Sequence, residues 1–533
     1  MQIRSAGGYD ITPLIEAMQD PGAYPHPVEA IHVIQTHTAC VFLTGEYAYK
    51  IKKPVYFGFL DYRMLEQRRA FCEQEMILNR RLCPDIYLDV VPLTNQQGRL
   101  QIGGEGSAVE WAVRMRQLRE ADMLPARLQT NTLEENSIER LAHTLAGFHN
   151  RAHTDETVRA YGSTVSLADT IAVTLRTMQQ VIADTPRTEI FHTLHSYFAR
   201  FQEQQTHLFR ERVHQNRIRD CHGDLRAQNI CLDARFSEGI QIFDCIEFNP
   251  SFRYIDTAAD IAYLAMDLDL AGHSALRARL LEIYAREAND NDLAQILPFY
   301  LTYRAMVRGN IALLAAQESE VPAAERQAQH DLAGTAYDLA WSYAGRRARP
   351  ALLITVGYSG SGKSVLTREV CRRLPAIPLS SDRLRKERAG TEAAAHLETS
   401  HYAPERRSAI YDMLRQEAGA WLSRHEHVVL DATFLDPYQR QAAVTLAQEH
   451  NAEFWVLDCQ CPDAVIRQRL AARSEDPNAS DACLNVYLQQ RRASETTLPC
   501  DQEAVSQGGY ILADMTRPVS DIAHTVVSRF LTI

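Results

Sequence analysis

The chain has 533 residues, of which 46% are hydrophobic and 23% charged. These values are typical of a globular protein and argue against a disordered or fibrous chain. The length exceeds what one hydrophobic core usually serves, so we expect about two to four domains. A formal net charge of -11 and a sequence pI near 6.0 give no global attraction to nucleic acid, so the expected substrate is a small molecule.

The cysteines and the amino terminus favour a soluble, cytoplasmic protein. The eleven cysteines form no CxxC pair, which is typical of reduced thiols rather than of disulfides or a zinc site. The segment MQIRSAGGYDITPLIEAM lacks the apolar stretch of a signal peptide. No window of about eighteen apolar residues occurs, so we expect no membrane partner. The sequence does not indicate an oligomeric state.

Between about residues 28 and 115 the hydrophobic period predicts a small β-sheet with a helix on it. The strand segments are IHVIQ, ACVFL, YAYKIK, YLDVVPL and VEWAVRM, and the helical stretch is RRAFCEQEMILNRRL. Lys50 and Lys52 are two residues apart in YAYKIK, so they lie on one face of their strand. Glu75 in the helix can pair with one of them, and we favour Lys50.

From about residue 133 to 345 the apolar spacing is mostly helical. The exception lies between Asp220 and Phe248, where NICL and IQIFDCIEF predict a β-hairpin after the polar loop DCHGDLRAQ. Loop and hairpin carry His222, Asp224, Asn229 and Asp244. This layout suits phosphoryl transfer: Asp224 orients or deprotonates a hydroxyl, Asn229 and Asp244 hold Mg²⁺, and His222 fixes the loop. Protein kinases carry HRD and DFG where this chain has HGD and DCIE, which indicates a small-molecule kinase.

HGDLRAQNI and IDTAADIAYLAMDLD, in which we expect Asp260 to brace the loop, resemble aminoglycoside phosphotransferases and the choline-kinase-like group. The resemblance implies an α+β, protein-kinase-like, two-lobed domain over residues 1–348, with lobes of about 28–118 and 119–345. In that scheme Lys50, with Lys52 as the second choice, touches the nucleotide phosphates and Glu75 positions it. No GxGxxG precedes AYKIKK. A catalytically silent kinase fold is the alternative.

After the expected linker GRRARP, residues 345–350, strands and helices alternate. The strands LLITV, HVVLDAT, AEFWVLD and GYILAD are interspersed with helices such as SVLTREVCRRL and YQRQAAVTLAQEH. This alternation predicts βαβ units and a parallel sheet covered on both faces. We therefore predict an α/β P-loop NTPase domain over residues 349–533.

The segment GYSGSGKS matches the phosphate-binding pattern GxxxxGK[ST] between a strand and a helix. The backbone N–H groups of such a loop face phosphate oxygens at a helix amino terminus. Lys363 is expected to reach the β and γ phosphates, and Ser364 to ligate Mg²⁺. The predicted nucleotide-binding residues are Gly357, Ser359, Gly360, Ser361, Gly362, Lys363 and Ser364.

Two acidic positions follow the loop. In SSDRLRKE, Asp382 can accept a proton from a hydroxyl, and Arg385, one turn later, can hold phosphate charge. The alternative is an Asp that only caps a helix, beside a solvated Arg. In VVLDAT, Asp431 at a strand end is a candidate for the Mg²⁺ shell, with Thr433 beside it.

Arg469 and Arg473 lie four residues apart on one helix face, before a loop rich in Asp, Pro, Asn and Ser. They resemble lid arginines that close over a transferring phosphoryl group, or they are solvated surface charges. Residues 351–533 resemble small P-loop kinases, which include gluconate kinase, polynucleotide kinase and the zeta toxins. The resemblance implies ATP-dependent transfer of a phosphoryl group to a hydroxyl.

The order of the two modules resembles bacterial fusion proteins described as bifunctional aminoglycoside phosphotransferase/ATP-binding proteins, which AYKIKKPV, FGFLDY and LNRRL also fit. The resemblance implies ATP and Mg²⁺ as cofactors. We predict two sites, each phosphorylating a small hydroxyl compound. The alternatives are that one module only binds nucleotide and regulates the other, or that the P-loop domain is an ATPase that does conformational work.

Overall fold

A computed structural model describes residues 10–58, 60–96, 99–182, 187–236, 239–317, 322–345, 349–389, 404–473, 484–493 and 509–532. The chain divides into two compact units. The first unit comprises Met1–Thr170, Gln202–Asp267 and Arg279–Tyr300, and the second comprises Ile171–Phe201, Leu268–Ala278 and Leu301–Ile533. Residues 301–345, which the sequence places in the first domain, thus cluster with the residues that follow them. The domain boundary at 348/349 stays a prediction, since compactness alone defines these units.

The first unit begins with an antiparallel sheet in the order β1-β2-β3-β6-β4-β5. Its elements are α1 Thr12–Ala17, β1 His32–Gln35, β2 Ala39–Leu43, β3 Tyr47–Lys52, α2 Leu65–Asn79, β4 Tyr87–Gln96, β5 Arg99–Ile102 and β6 Ala108–Arg116. Alternate side chains of β3 point to opposite faces of the sheet. Tyr49 and Ile51 pack with α1 in one apolar cluster. Lys50 and Lys52 point to the other face, where both bond to Glu75 of α2.

Helices dominate the chain from there to residue 345. They are α3 Leu124–Gln129, α4 Ser137–Arg151, α5 Glu156–Ala160, α6 Thr164–Val181, α7 Thr188–Gln204, α8 Thr206–His214, α9 Thr257–Leu270, α10 Ser274–Glu287, α11 Leu293–Ala316 and α12 Ala323–Ala344. Two short antiparallel pairs interrupt them: β7 Ile218–Asp220 with β10 Tyr254–Asp256, and β8 Ile230–Cys231 with β9 Gln241–Ile242. The second pair is the predicted hairpin. No described helix is long and apolar enough to cross a membrane.

The rest of the second unit is a parallel sheet in the order β12-β13-β11-β14-β15. Its elements are β11 Ala351–Val356, α13 Lys363–Cys371, β12 Ala376–Ser380, α14 Ser381–Ala389, α15 Pro404–Leu422, β13 His427–Asp431, α16 Pro437–Glu449, β14 Glu453–Gln460, α17 Asp463–Arg473, α18 Leu484–Ala493, β15 Gly509–Asp514 and α19 Val519–Thr532. All neighbouring strands in this sheet run parallel. The prediction of a parallel sheet for this part of the chain is confirmed.

The central strand β11 is buried along its whole length because both faces of the sheet are covered. Leu352, Ile354 and Val356 pack in a cluster with apolar residues of α15 and α16. Ala351 and Leu353 pack in another cluster with residues of α13 and α19. A strand that is covered on both sides has no polar alternation, which explains the continuous apolar run LLITV in the sequence.

Buried ionic contacts tie the helical segments of the second unit to its sheet domain. The Arg277 guanidinium donates to Asp269 at 3.0 Å and to Glu426, which precedes β13, at 2.6 Å. Asp338 of α12 accepts from Arg373 at 3.2 Å and lies 2.8 Å from Nδ1 of His524 in α19. The second unit is therefore held together by charge pairs as well as by its apolar clusters.

Arg277→Ala should lower the free energy of unfolding by about 3–5 kcal/mol, since it leaves a buried charge without its partner. The side chains of Arg277, Asp269 and Glu426 are 9%, 0% and 15% exposed. Urea unfolding of the full chain measures the change. Arg279→Ala is the matched control, because Arg279 and Glu139 are 46% and 43% exposed and such pairs contribute at most about 1 kcal/mol. Equal effects of the two variants would contradict the prediction.

Candidate functional site

The loop from Gly357 to Ser364 joins the end of β11 to the start of α13. Gly357, Gly360 and Gly362 have φ values of 143°, 85° and 106°, in the range that favours glycine. A Cβ on Gly357 would lie 2.7 Å from the carbonyl oxygen of Cys459. The glycines are therefore required for the tight curl that turns the loop towards the amino terminus of α13.

The loop is well suited to hold phosphate. Nζ of Lys363 donates to the carbonyl oxygen of Tyr358 at 2.6 Å, so the ammonium lies across the loop. The hydroxyl of Ser361 is buried and has no hydrogen-bond partner among the described residues. An ammonium group, an unsatisfied hydroxyl and a helix amino terminus together match the oxygens and charge of a phosphate.

Three polar residues stand beside the loop at the carboxyl ends of two neighbouring strands. Asp431 ends β13 opposite Ser380 of β12, and Asp382 follows in the first turn of α14. Burial raises the pKa of Asp431, while a hydrogen bond from Ser364 and the charge of Lys363 oppose the increase. The Ser364 hydroxyl and the Asp431 carboxylate are hard oxygen ligands, which Mg²⁺ prefers, so the pair fits the predicted metal site.

Asp382 is held by a basic neighbour from its own helix. The guanidinium of Arg385 bonds to the carboxylate of Asp382 and reaches the hydroxyl of Ser381 at 3.3 Å. Asp and Arg one turn apart, as the sequence predicts, thus form a pair rather than two separate solvated charges. The backbone N–H of Asp382 donates to the hydroxyl of Ser380 at 3.2 Å.

An open cleft brings these groups together. The predicted residues that line it are Ser359, Gly360, Gly362, Lys363, Ser364, Asp382, Arg385, Asp431 and Thr433. Lining residues that the sequence did not reveal are Ser381, Arg407, Tyr411, Ala432, Leu435, Asp436, Gln439 and Gln490. Four of these eight, Arg407, Tyr411, Gln439 and Gln490, come from helices without a motif. Asp436 carried a signal, since Asp before Pro marks the helix start that it caps.

Arg469 lies against the backbone of the phosphate loop. Its guanidinium donates to the carbonyl oxygens of Ser361 at 3.3 Å and Met515 at 2.8 Å. It therefore supports the loop in this structure, and its role at a transferring phosphoryl group stays a prediction. The side chain of Arg473 and residues 474–483, for which the sequence predicts a loop, lie outside the described residues.

A second cluster lies in the first unit, around Lys50 of β3. Its ammonium contacts Glu75 of α2 at 2.8 Å and Asp244, after β9, at 2.6 Å. Asp244 adopts a left-handed backbone with φ of 64°, and its side chain is 45% exposed. The structure thus joins three residues that the sequence assigned to one nucleotide site.

Lys52 also bonds to Glu75, at 2.6 Å, so one carboxylate serves both lysines. On its other side Lys52 contacts Glu247, which also accepts from the hydroxyl of Tyr62. The Lys52 side chain is only 2% exposed, whereas Lys50 lies nearer to solvent at 16%. Sequence reasoning missed Glu247 and Tyr62, although Glu247 stands in the IFDCIEF segment that supplied Asp244.

The loop before the hairpin is braced by Asp260 of α9. Its carboxylate accepts the backbone N–H groups of His222 and Gly223, both at 2.9 Å. Asn229 donates to the Asp224 carboxylate at 3.1 Å and to its carbonyl oxygen at 2.9 Å. Nε2 of His222 donates to the carbonyl oxygen of Phe243 at 3.0 Å, since a carbonyl only accepts.

The charges of this cluster are mutually compensated. Burial alone would raise the pKa of Glu75, but Lys50 and Lys52 hold it below its usual value. Partial desolvation would raise the pKa of Asp244, whose side chain is still 45% exposed, but Lys50 holds that pKa below its usual value. Burial lowers the pKa of His222, although nearby carboxylates oppose the shift, so the imidazole is neutral at pH 7. Asp244 and Asn229 offer oxygen atoms that would suit Mg²⁺.

Comparisons with known proteins match these features in part. A family model described as an AAA domain matches residues 352–497. Over 479 residues the chain is 29% identical to proteins described as uncharacterized from Mycobacterium bovis and Mycobacterium tuberculosis, covering 89% of this chain and 93% of each relative. The family match confirms the predicted P-loop region.

Among solved structures, a sugar kinase from Janibacter sp. is 18% identical, with 34% of this chain and 95% of that chain covered and a TM-score of 0.26. A gluconokinase from Sinorhizobium meliloti is also 18% identical, with 34% and 94% covered and a TM-score of 0.23. The site is defined by the geometry of the described sheet and phosphate loop, and not by these low structural similarities.

Proposed function

We propose that the second unit transfers the terminal phosphoryl group of ATP to a hydroxyl group of a small molecule. One observation carries this proposal: Asp382 lines the same cleft as Lys363, Ser364 and Asp431. A phosphate grip alone would serve any nucleotide-binding protein, whereas a carboxylate opposite it can accept the proton of an attacking hydroxyl. The AAA-domain match supports the nucleotide-binding half of the proposal.

ATP bound with Mg²⁺ supplies the phosphoryl group and a metal charge that stabilises the transition state. In this proposal the loop N–H groups and Lys363 hold the phosphates. The hydroxyl of Ser364 and the carboxylate of Asp431 would supply oxygen ligands to the metal. The acceptor hydroxyl is oriented by Asp382, which takes its proton while the acceptor oxygen bonds to phosphorus and the bond to the departing ADP breaks. Arg385 fixes the orientation of that carboxylate.

The test follows the label from ATP that carries radioactive phosphorus in its γ position. The full chain is incubated with this ATP, Mg²⁺ and a metabolite extract, and the products are separated. We expect label in an organic phosphate that does not form without the protein. Release of inorganic phosphate alone would contradict transfer and favour the alternative of an ATPase.

We also propose the first unit as a second phosphoryl-transfer site. The contacts that favour it are those of Lys50 with Glu75 and Asp244, together with Asp224 bonded to Asn229 on the neighbouring loop. These are the residue types that a kinase needs for phosphate, metal and acceptor. The alternative is a module that binds nucleotide without transferring phosphate. The carboxylates of the first unit are equally compatible with that role.

In a Lys363→Ala background, Lys50→Met should lower the remaining ATP-dependent phosphorylation by about 10–100-fold, because it removes the cation between the two carboxylates. The measurement is the labelled-product assay above. Lys53→Met is the matched control, since Lys53 lies just past the end of β3. Equal activity of the two variants would contradict a catalytic role. Retained ATP binding without labelled product in the background chain would favour the regulatory module.

A further inference from the structure

Gln490 makes a two-point contact with the phosphate loop. The backbone N–H of Ser359 donates to Oε1 of Gln490 at 2.9 Å, and Nε2 of Gln490 donates to the Ser359 hydroxyl oxygen at 2.9 Å. Both residues line the cleft that holds Lys363 and Asp382. No sequence motif indicated Gln490, which lies on α18, more than a hundred residues from the loop.

The position of Lys363 shows which end of the loop Gln490 touches. Nζ of Lys363 lies 2.6 Å from the carbonyl oxygen of Tyr358, which belongs to the same peptide group as the N–H of Ser359. The lysine of such loops reaches the β and γ phosphates. The peptide between Tyr358 and Ser359 is therefore at the terminal-phosphate end of the site.

Helix α18 is held in this position by further contacts. The ring of Tyr487 meets that of Tyr358 edge-on, with centroids 5.7 Å apart. Asp463 of α17 accepts from the Tyr487 hydroxyl and from Arg491, both at 2.5 Å. Hydrogen bonds from Tyr487 and Arg467, together with Arg491, lower the pKa of Asp463 to about 2, so it is ionised at pH 7. The contact of Gln490 with Ser359 thus belongs to a packed interface.

We propose that Ser359 and Gln490 form the terminal-phosphate end of the nucleotide site, and that Gln490 makes this site selective for a nucleoside triphosphate over a diphosphate. This inference rests on the proposed function of the same cleft. Both side chains are uncharged, and their N–H and O–H groups can donate to phosphate oxygens. A diphosphate ends one group earlier and gains nothing from these donors.

Gln490→Glu separates this role from simple support of the loop. A glutamate has nearly the same shape, and its oxygens can accept both the N–H and the O–H of Ser359. The local contact therefore stays, while the new negative charge repels a terminal phosphate. Gln489→Glu is the matched control, because it places the same charge on the exposed neighbouring residue.

The experiment measures by calorimetry the affinities of the full chain for ADP and for a non-hydrolysable ATP analogue, both with Mg²⁺, in a Lys50→Met background that removes the cation of the proposed first-unit site. The ratio of analogue affinity to ADP affinity should fall at least about tenfold in Gln490→Glu, because the donors are lost and the new negative charge also repels the terminal phosphate. In Gln489→Glu the ratio should match the wild type. Gln490→Ala, which loses the donors without adding charge, should lower it about threefold.

The inference is overturned if Gln490→Glu and Gln490→Ala weaken both nucleotides equally, since that result assigns Gln490 to loop support alone. It is also overturned if the ratio in Gln490→Glu equals that in Gln489→Glu. A Lys50→Met chain that binds neither nucleotide, and behaves like the chain that also carries Lys363→Ala, would instead overturn the proposed function of the cleft. The two failures are therefore distinguishable.

Discussion

Asp382→Asn should lower the rate of phosphoryl transfer about 10²–10⁴-fold, the range by which a positioned base accelerates a reaction. The amide keeps the size of the carboxylate, but it cannot accept the proton of the acceptor hydroxyl. Because Asp382 is assigned to the acceptor rather than to the phosphates, the affinity for ATP should change less than about threefold. Steady-state transfer kinetics and ATP titrations in a Lys50→Met background, which excludes the proposed first-unit site, measure the two quantities.

Asp436→Asn is the matched control for this variant. Asp436 lines the same cleft, yet its carboxylate caps α16 by accepting the N–H of Tyr438 at 2.9 Å. Asn caps helices about as well as Asp, so fold and activity should be retained. If Asp436→Asn abolished transfer and Asp382→Asn did not, the base would be Asp436 and the assignment would be wrong.

Lys363→Ala should lower kcat about 10²–10³-fold, because a cation aimed at charge that develops on the phosphates is lost. Unlike Asp382→Asn, it should also weaken ATP binding, since the ammonium contacts the bound nucleotide as well as the transition state. The combination of a lower kcat and weaker binding distinguishes the phosphate grip from the base. Transfer kinetics and calorimetry on the full chain in the same Lys50→Met background measure both.

Lys386→Ala provides the comparison, because Lys386 lies in the last turn of α14 and does not belong to the residues that line the cleft. We expect wild-type kinetics from it. Thermal unfolding of both variants excludes a general loss of fold. A Lys363→Ala chain with undiminished transfer would place the phosphate grip elsewhere.

The phosphate loop could be predicted from sequence because its chemistry is local. Eight consecutive residues determine the curl, the helix start and the cation, and the flanking apolar strand gives the context. The proximity of the two carboxylates could be predicted for a related reason. Parallel strands end at one edge of the sheet, so Asp431 and Asp382 had to lie near each other. The strand order and the helices that close the cleft depend on packing between distant segments, which no local pattern records.

The first-unit cluster shows where periodicity stops being sufficient. The period of two correctly placed Lys50 and Lys52 on one face, but it could not decide which of them meets Glu75. The two carboxylate oxygens of Glu75 bond to one lysine each. Glu247, which takes the other side of Lys52, lies 195 residues away in sequence. Contacts over such separations follow from the tertiary fold.

The helical segments of the second unit were the least predictable part of the fold. Gly345 and Pro350 flank a charged stretch that suggests a linker, yet α12 before it packs with α19 and bonds through Asp338 to Arg373. A composition change marks where the backbone leaves one type of structure. It does not record which side chains meet afterwards.

The interleaved segments of the second unit have a consequence for translation. Residues 171–201 belong to the second unit and leave the ribosome well before α12. In the folded chain the guanidinium carbon of Arg187 lies 5.9 Å from the ring centroid of Tyr337 in α12. Arg373, which lies just past the end of α13, and His524 of α19 complete the ion pairs of Asp338 and follow later still. At elongation rates of about 5–20 residues per second this delay is on the order of tens of seconds. During that time the early helices expose apolar surface to solvent, so the nascent chain is expected to require chaperone protection until α19 has been made.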